Sequence, residues 1–349
     1  MKTMLITGGA GFIGGHCVQH FLRKYKNLCI VNLDKVTYAA NLRALASVAG
    51  HPRYRFVKGD ITDQELVTEL LKRYDIRGIM HLAAESHVDN AIENPTLFAR
   101  TNTMGTAVLL EAARQRWMKG PYNAKSGYED CVFHHVSTDE VFGSISAGGF
   151  TENSPYAPNS PYSASKAGAD MLVRSYYQTY GMNVRVTNCS NNFGPYQHHE
   201  KLIPTVIRCA LSHRKIPIYG NGSQVRDWLF VSDHCAALDL VYHKAEPGSY
   251  YNIGGNNTVT NLTLVRKICD ILDRMFPSES LKSYHELISF VDDRPGHDQR
   301  YAIDASKIKS ELEFYPASSF DLAMEMTVGW YIEQHRRAKG QVSLREKVE

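Results

Sequence analysis

The first half of the chain alternates short apolar runs with longer stretches whose apolar positions recur at helical spacing. MLIT (Met4–Thr7), CIVNLD (Cys29–Asp34), YRFVKGD (Tyr54–Asp60), GIMHLAA (Gly78–Ala84), CVFHHVST (Cys131–Thr138) and VRVTN (Val184–Asn188) read as strands. Between them, Phe12–Arg23, Asp63–Lys72, Pro95–Gln115 and Pro161–Thr179 read as amphipathic helices. Strands alternating with helices predict right-handed βαβ units, and so an α/β fold with a doubly wound parallel sheet. Several strands are apolar almost throughout, as strands covered on both faces are.

After about Asn191 the alternation is lost. Turn signals crowd together in NNFGP, YGNGS, IGGNN and DDRPGH, and helical patterns remain at Ile203–Leu211, Leu262–Met275 and Phe320–His335. The pattern predicts one domain over 1–190, with segments near 225–255 and 318–335 returning to it. A smaller, irregular C-terminal domain over 191–224 and 256–317 is expected to carry the substrate.

TGGAGFIG (Thr7–Gly14) follows the first strand and opens the first helix, giving G-x-x-G-x-x-G at Gly8, Gly11 and Gly14. Gly8 permits the tight turn, Gly11 clears the backbone for a pyrophosphate, and Gly14 allows close helix–strand packing. Free N–H groups and the positive end of the helix dipole favour phosphates. Asp34 ends the second strand 20 residues beyond Gly14, as a Rossmann-type dinucleotide site requires. Its carboxylate would accept from both adenosine ribose hydroxyls and repel a 2′-phosphate. NAD is therefore expected over NADP, although Lys35 adjoins it. Asp60, after the third strand, is expected at the adenine, and HLAAES (His81–Ser86) over the cofactor.

The composition fits a small-molecule enzyme. Of 349 residues, 43% are hydrophobic and 21% charged, which excludes a mostly disordered chain, and a net charge of +3 gives no argument for nucleic acid or a membrane surface. The seven scattered cysteines contain no C-x-x-C pair, so the expectation is a reducing cytoplasm without a disulfide framework or structural zinc. The opening MKTMLITGG is too short in apolar residues for a secretory signal, and no run of about 18 apolar residues occurs. His134–His135 and His198–His199 are adjacent pairs without carboxylate or cysteine partners at ligand spacing, so no metal is expected.

Tyr162 and Lys166 lie four apart in PYSASK, on one face of the predicted helix. A neighbouring ammonium favours a phenolate, so Lys166 is expected to lower the Tyr162 pKa. Tyr162 could then take a proton from a substrate alcohol while hydride leaves its carbon. STDEVFG (Ser137–Gly143) places Thr138, Asp139 and Glu140 at a strand's carboxyl end. Redox chemistry has no need of two adjacent acids, whereas elimination uses one protonated carboxyl and one ionised carboxylate. Like charges this close push the two pKa values apart.

Together these motifs resemble the extended short-chain dehydrogenase/reductases, from residue 7 to about residue 304. STDEV followed by Gly143 is similar to the signature of nucleotide-sugar 4,6-dehydratases. DKVTYAANL, HLAAESHVD, TNCSNNFGPYQHHEKLIP, PIYGNGSQVRDWLFVSDH, YNIGG and DRPGHDQRYAID most resemble the branch acting on dTDP-glucose. The resemblance implies a cofactor site of Gly8, Gly11, Phe12, Ile13, Gly14, Asp34, Lys35, Thr37, Asp60, Ile61, Leu82, Ala83, Ala84, Ser86, Thr101, Tyr162, Lys166 and Asn192. It implies a nucleotide-sugar site of Ser86, Thr138, Asn191, Lys201, Leu202, Pro217, Tyr219, Arg226, Asn261, Arg294 and His297. The implied reaction passes hydride from C4 to NAD and back to C6. Tyr162 would act at the C4 hydroxyl, Thr138 at its oxygen, Glu140 at the C5 proton and Asp139 at the departing C6 hydroxyl. A homodimer through the Pro95–Gln115 and Pro161–Thr179 helices is implied too. Phe142 and Phe193 stand where the family more often has tyrosine, so a difference in local hydrogen bonding at the sugar is expected. Dehydration of UDP-glucose, 4-epimerisation, and a non-catalytic NAD or nucleotide-sugar sensor remain the alternatives.

Overall fold

A computed structural model describes residues 2–293 and 297–345. Seven strands form one sheet: β1 (Lys2–Thr7), β2 (Leu28–Asp34), β3 (Tyr54–Lys58), β4 (Ile76–His81), β5 (Val132–Thr138), β6 (Val184–Cys189) and β7 (Ser249–Ile253). Their order is β7-β6-β5-β4-β1-β2-β3, with every neighbouring pair parallel. The chain starts in the middle, winds out to β3, returns beside β1 and winds out the other way. The reversal between β1 and β4 opens a crevice at the carboxyl ends of the strands, where ligands bind in such sheets.

The main helices are α1 (Phe12–Lys24), α2 (Gln64–Arg73), α3 (Gly105–Trp117), α4 (Pro161–Tyr180), α5 (Leu202–Leu211), α6 (Val231–Lys244), α7 (Asn261–Met275) and α8 (Phe320–Arg345). One sheet face is covered by Val18, Phe21 and Leu22 of α1 with Leu238 and Val241 of α6. The other is covered by Leu70 and Leu71 of α2, Leu109 and Leu110 of α3, and Val173 of α4. Deep in the first layer, Cys17 Sγ lies 3.4 Å from Cys235 Sγ. Helix α4 starts at a capping box, with Ser160 and Ser163 satisfying each other's backbone N–H groups, and stops at Gly181 with φ +66°.

Six of the seven strands lie where the hydrophobic pattern puts them. The pattern passes over β7 and α6. Helix α6 buries Asp233, His234 and Asp239 among its apolar residues, which blurs any amphipathic stripe. The expected single helix Pro95–Gln115 is broken into Pro95–Phe98, a π-helical stretch Ala99–Met104, and α3.

A second core joins α5, α7 and α8 through Ile203, Val206, Ile207, Leu264, Ile268, Leu272, Met324 and Val328. This corrects the expectation that 318–335 returns to the sheet. Ala323, Met324, Val328 and Ile332 form a stripe that packs on α5 and α7, while the returning segment is Ser306–Leu312, whose Ile308 and Leu312 enter the first core.

Candidate active site

The turn after β1 is shaped by what a side chain would strike. A Cβ on Gly8 (φ +72°) would lie 2.7 Å from the Ala83 backbone, and one on Gly14 would lie 2.2 Å from the Gly8 carbonyl oxygen. At Gly11 the Gly8 oxygen, at 3.1 Å, is the sole neighbour within 4 Å, so this glycine faces open space. Asp34 ties the turn to β2: Ala10 N–H donates to its Oδ2 and Val36 N–H to its Oδ1, both at 2.8 Å. Gly9 N–H donates to Asn32 Oδ1 at 3.0 Å. Lys35 Nζ pairs with Asp60 Oδ2 at 2.8 Å and holds that carboxyl below its ordinary range against the opposing effect of burial.

This turn is one wall of a cavity of about 310 Å³. Every residue of the expected cofactor set lines it, from Gly8 and Asp34 to Thr101, Tyr162, Lys166 and Asn192. Thr101 reaches the wall from the π-helical stretch, whose neighbour Asn102 accepts from Glu85 N–H at 2.8 Å and donates to Ser165 Oγ at 2.9 Å. Such local helix widening recurs where a helix serves a site.

Thr138, Asp139, Glu140, Tyr162 and Lys166 converge on the same cavity. Thr138 caps a tight turn over Asp139–Phe142, accepting from Glu140 N–H at 3.3 Å. Its hydroxyl lies 3.4 Å from Asp139 Oδ1 and acts to lower the Tyr162 pKa. Asp139 is 3% exposed, and its Oδ2 is buried with no hydrogen-bond partner among the described residues. Burial, then the adjacent Glu140 charge, push its carboxyl well above the carboxylate range. Both influences bias Asp139 toward its protonated, proton-donating form. Glu140 is half-buried.

Tyr162 departs from the expectation. Burial, and then the Glu140 charge, raise its phenol well above 10, and the Lys166 ammonium donates to the Val136 carbonyl at 2.8 Å. Desolvation of the anion outweighs the neighbouring Thr138 hydroxyl, which acts to lower the pKa.

The structure divides the expected sugar-nucleotide residues into two groups. Ser86, Thr138, Asn191 and Lys201 line the cavity, and Lys201 Nζ donates to the Ser86 carbonyl at 3.0 Å. Leu202 opens α5 just beyond them. Pro217, Tyr219, Asn261 and His297 gather instead around Asp293. His297 Nδ1 lies 2.6 Å from Asp293 Oδ1, the Tyr219 and His297 rings are 6.1 Å apart, Gln224 donates to Asp293 Oδ2 at 2.8 Å, and Asn261 N–H donates to the Gln224 carbonyl. Pro217 is on the same short strand as Tyr219, Ile216–Tyr219. Arg226 is 5% exposed, donates to the Val225 and Asp298 carbonyls at 2.8 Å, and lies over the Tyr301 ring at 4.2 Å. Its charge reaches Asp139 and favours ionisation there, against the larger effect of burial. Arg294 lies outside the described residues.

Glu85, Gln197, His198 and Glu200 also line the cavity; Glu85 belongs to the HLAAES segment expected over the cofactor, His198 is weighed in the sequence only as a metal ligand, and Gln197 and Glu200 are not singled out there. Three belong to the irregular 197–201 loop, where no periodicity marks the inward side. Phe142 stacks on Phe150 at 5.3 Å, and Phe193 packs beside Trp228, Phe230 and Phe320. Both rings are buried in aromatic clusters and neither lines the cavity, so the expected change in hydrogen bonding at the sugar has no counterpart there.

The family described as GDP-mannose 4,6 dehydratase matches residues 5–327. A dTDP-glucose 4,6-dehydratase of Xanthomonas campestris pv. campestris (strain B100) is 51% identical over 341 residues, covering 97% of this chain and 96% of the relative. The crystal structure of dTDP-glucose 4,6-dehydratase from Bacillus anthracis in complex with NAD is similar at 43% identity and a TM-score of 0.84, over 96% of this chain and 98% of that one. That of the Streptomyces venezuelae enzyme, with NAD and dTDP bound, is similar at 42% identity and a TM-score of 0.85, over 95% and 97%. On matches of this identity along nearly its whole length, the chain belongs to the GDP-mannose 4,6 dehydratase family and, within it, to the dTDP-glucose 4,6-dehydratases.

Proposed function

We propose that the chain removes water from dTDP-glucose to give the 4-keto-6-deoxy sugar nucleotide, with NAD regenerated in each cycle. The observation that carries this reading is Asp139: a buried acid whose Oδ2 has no partner among the described residues, next to Glu140, on the wall of the cavity lined by the glycine-rich turn and Asp34. Oxidation and re-reduction alone have no use for it.

The residues present fit NAD. Gly11 leaves room for a pyrophosphate against the backbone, and Asp34 keeps lone pairs for ribose hydroxyls beyond the two backbone N–H groups it accepts. Gly8, Gly14, Asp60, Ile61 and Leu82–Ala84 would enclose the adenosine end, and Thr101, Lys166 and Asn192 the nicotinamide end. NAD supplies an acceptor for hydride from sugar C4 and a donor of hydride to C6.

The protein's own groups move the protons. Tyr162 takes the proton of the C4 hydroxyl, which requires its phenol to ionise against burial and Glu140; the neighbouring Thr138 hydroxyl is the favourable influence. Thr138 steadies the C4 oxygen. The 4-keto group acidifies C5–H, and Glu140 removes that proton. Asp139 delivers its proton to the C6 hydroxyl, which leaves as water, and a proton is returned to C5 as hydride returns to C6. Each such transfer contributes roughly 10²–10⁴-fold. Lys201 and Asn191 line the sugar-nucleotide side, and the Tyr219–His297–Asp293 group would lie along the nucleotide.

Purified protein should convert dTDP-glucose to an alkali-absorbing 4-keto sugar without net reductant, and deuterium placed at C4 should appear at C6. Product without that transfer, or no product from dinucleotide-loaded protein, overturns the reading. A higher kcat/KM for UDP-glucose than for dTDP-glucose would reassign the base. Met104 and Met171, 58% and 48% exposed on adjoining helical segments, favour a second copy of the chain as partner; light scattering at twice the chain mass is the expected result.

A further inference from the structure

Behind Lys166 lies a buried polar cluster that the proton transfers do not use. Asp170 is fully buried on α4, one turn beyond Lys166 and two beyond Tyr162, on the same face. Its Oδ2 accepts from Ser137 Oγ at 2.8 Å, Tyr156 Oη at 2.9 Å and Asn188 Nδ2 at 3.4 Å. Its Oδ1 lies 3.1 Å from His135 Nε2. Asn188 Nδ2 also donates to the Thr138 carbonyl at 3.1 Å. One carboxylate thus ties the strand end carrying Thr138 and Asp139 to the helix carrying Tyr162 and Lys166.

Hydrogen bonding alone does not require a charge here, since a neutral amide could accept from the same donors. Burying a lone carboxylate is unfavourable unless it is paired. His135 does not supply the pairing cation, because burial, then Lys166, hold its imidazole well below the ordinary range and so neutral. Lys166 is the remaining cation: burial pushes its ammonium down and Asp170 pushes it back up. Burial raises Asp170 to about 6 against the opposing pull of Lys166, so it is ionised at neutral pH.

We propose that Asp170 is a positioning residue, whose buried carboxylate clamps the Ser137–Asp139 strand end to α4 and serves as the counter-charge of the Lys166 ammonium. The proposal rests on the dehydratase reading of Tyr162 and Lys166. The groups facing Asp170 are Lys166 on its own helix, His135 and Ser137 on β5, Asn188 on β6, Tyr156 before α4 and Tyr250 on β7.

Asp170→Asn preserves the volume and one acceptor and removes the charge. In dinucleotide-loaded protein, kcat on dTDP-glucose should fall by about tenfold or more with KM within about twofold, and the alkaline limb of kcat should move down by about one pH unit. Dinucleotide retained through gel filtration should match the parent, and Asp170→Glu should restore part of kcat and of the limb. An unchanged kcat, a fall in kcat with an unmoved limb, or loss of dinucleotide each overturns the proposal. Should Asp170→Asn fail to fold, Ser137→Ala decides: losing one donor raises the Asp170 pKa, so the acid limb should move up from about 6, and an unmoved limb overturns the proposal. A parent protein inactive on dTDP-glucose overturns the function instead, which separates the two failures.

Discussion

Asp139 and Glu140 are neighbours in the chain and opposites in environment: Asp139 is buried with its carboxyl pKa raised, while Glu140 is half-buried and its charge helps to raise it. One tight turn thereby presents an acid and a base side by side. Asp139→Asn should abolish release of water, with kcat lower by about 10²-fold or more, while transient reduced dinucleotide still forms on adding dTDP-glucose. Glu140→Gln should also leave that first reduction intact but stop exchange of C5–H with deuterated solvent. Stopped-flow absorbance and proton NMR distinguish the two.

Asp34 secures the cofactor turn as well as facing the cofactor. Asp34→Ala strips acceptors from the Ala10 and Val36 N–H groups, each worth about 1–3 kcal/mol when left unsatisfied in a buried position. The variant should melt several degrees lower and lose NAD on gel filtration. Its preference for NAD over NADP should shrink, as read by dinucleotide titration.

Gly14→Ala tests the packing of α1 on the turn, because its Cβ would fall 2.2 Å from the Gly8 carbonyl oxygen. The helix must shift, and dinucleotide content should drop sharply in protein that remains folded by circular dichroism. Gly11→Ala meets only one atom at 3.1 Å and should fold with near-parent stability, yet bind NAD at least about tenfold more weakly.

Asp239 joins α1 to α6 through His20 at 2.9 Å, Lys24 at 2.6 Å, Tyr25 at 2.7 Å and His243 at 2.8 Å. These donors hold its carboxyl far below the ordinary 3.8 although burial acts the other way. A carboxyl depressed in the folded state adds stability above its unfolded pKa and loses it as pH falls. Asp239→Asn should therefore lower the melting temperature by about 5 °C or more at pH 7. The gap to the parent should narrow steadily as the pH drops below about 3.8 in calorimetric scans.

The sequence reveals most where a residue's role is local. Gly8, Gly14 and Asp34 are legible because a tight turn beside a strand end admits few other residues. Tyr162 and Lys166 are legible because four residues span one helical turn. Gln197 and Glu200 escape because they come from a loop whose inward side no period marks. The Tyr162 pKa was misread for a different reason: sequence displays a nearby cation but hides the desolvation that sets the shift. Helix α8 was assigned to the wrong layer because an apolar stripe announces burial without naming its partner. Asp170 passes in sequence as an ordinary helix acid until β5 and β6 close over it.

The reversal of the sheet between β1 and β4 has an evolutionary consequence. The turn after β1 that cradles the hydrogen carrier and the turn after β5 that expels water are separate lengths of polypeptide facing one crevice. A lineage could therefore rewrite the turn after β5, exchanging one reaction for another, while inheriting the carrier's cradle untouched.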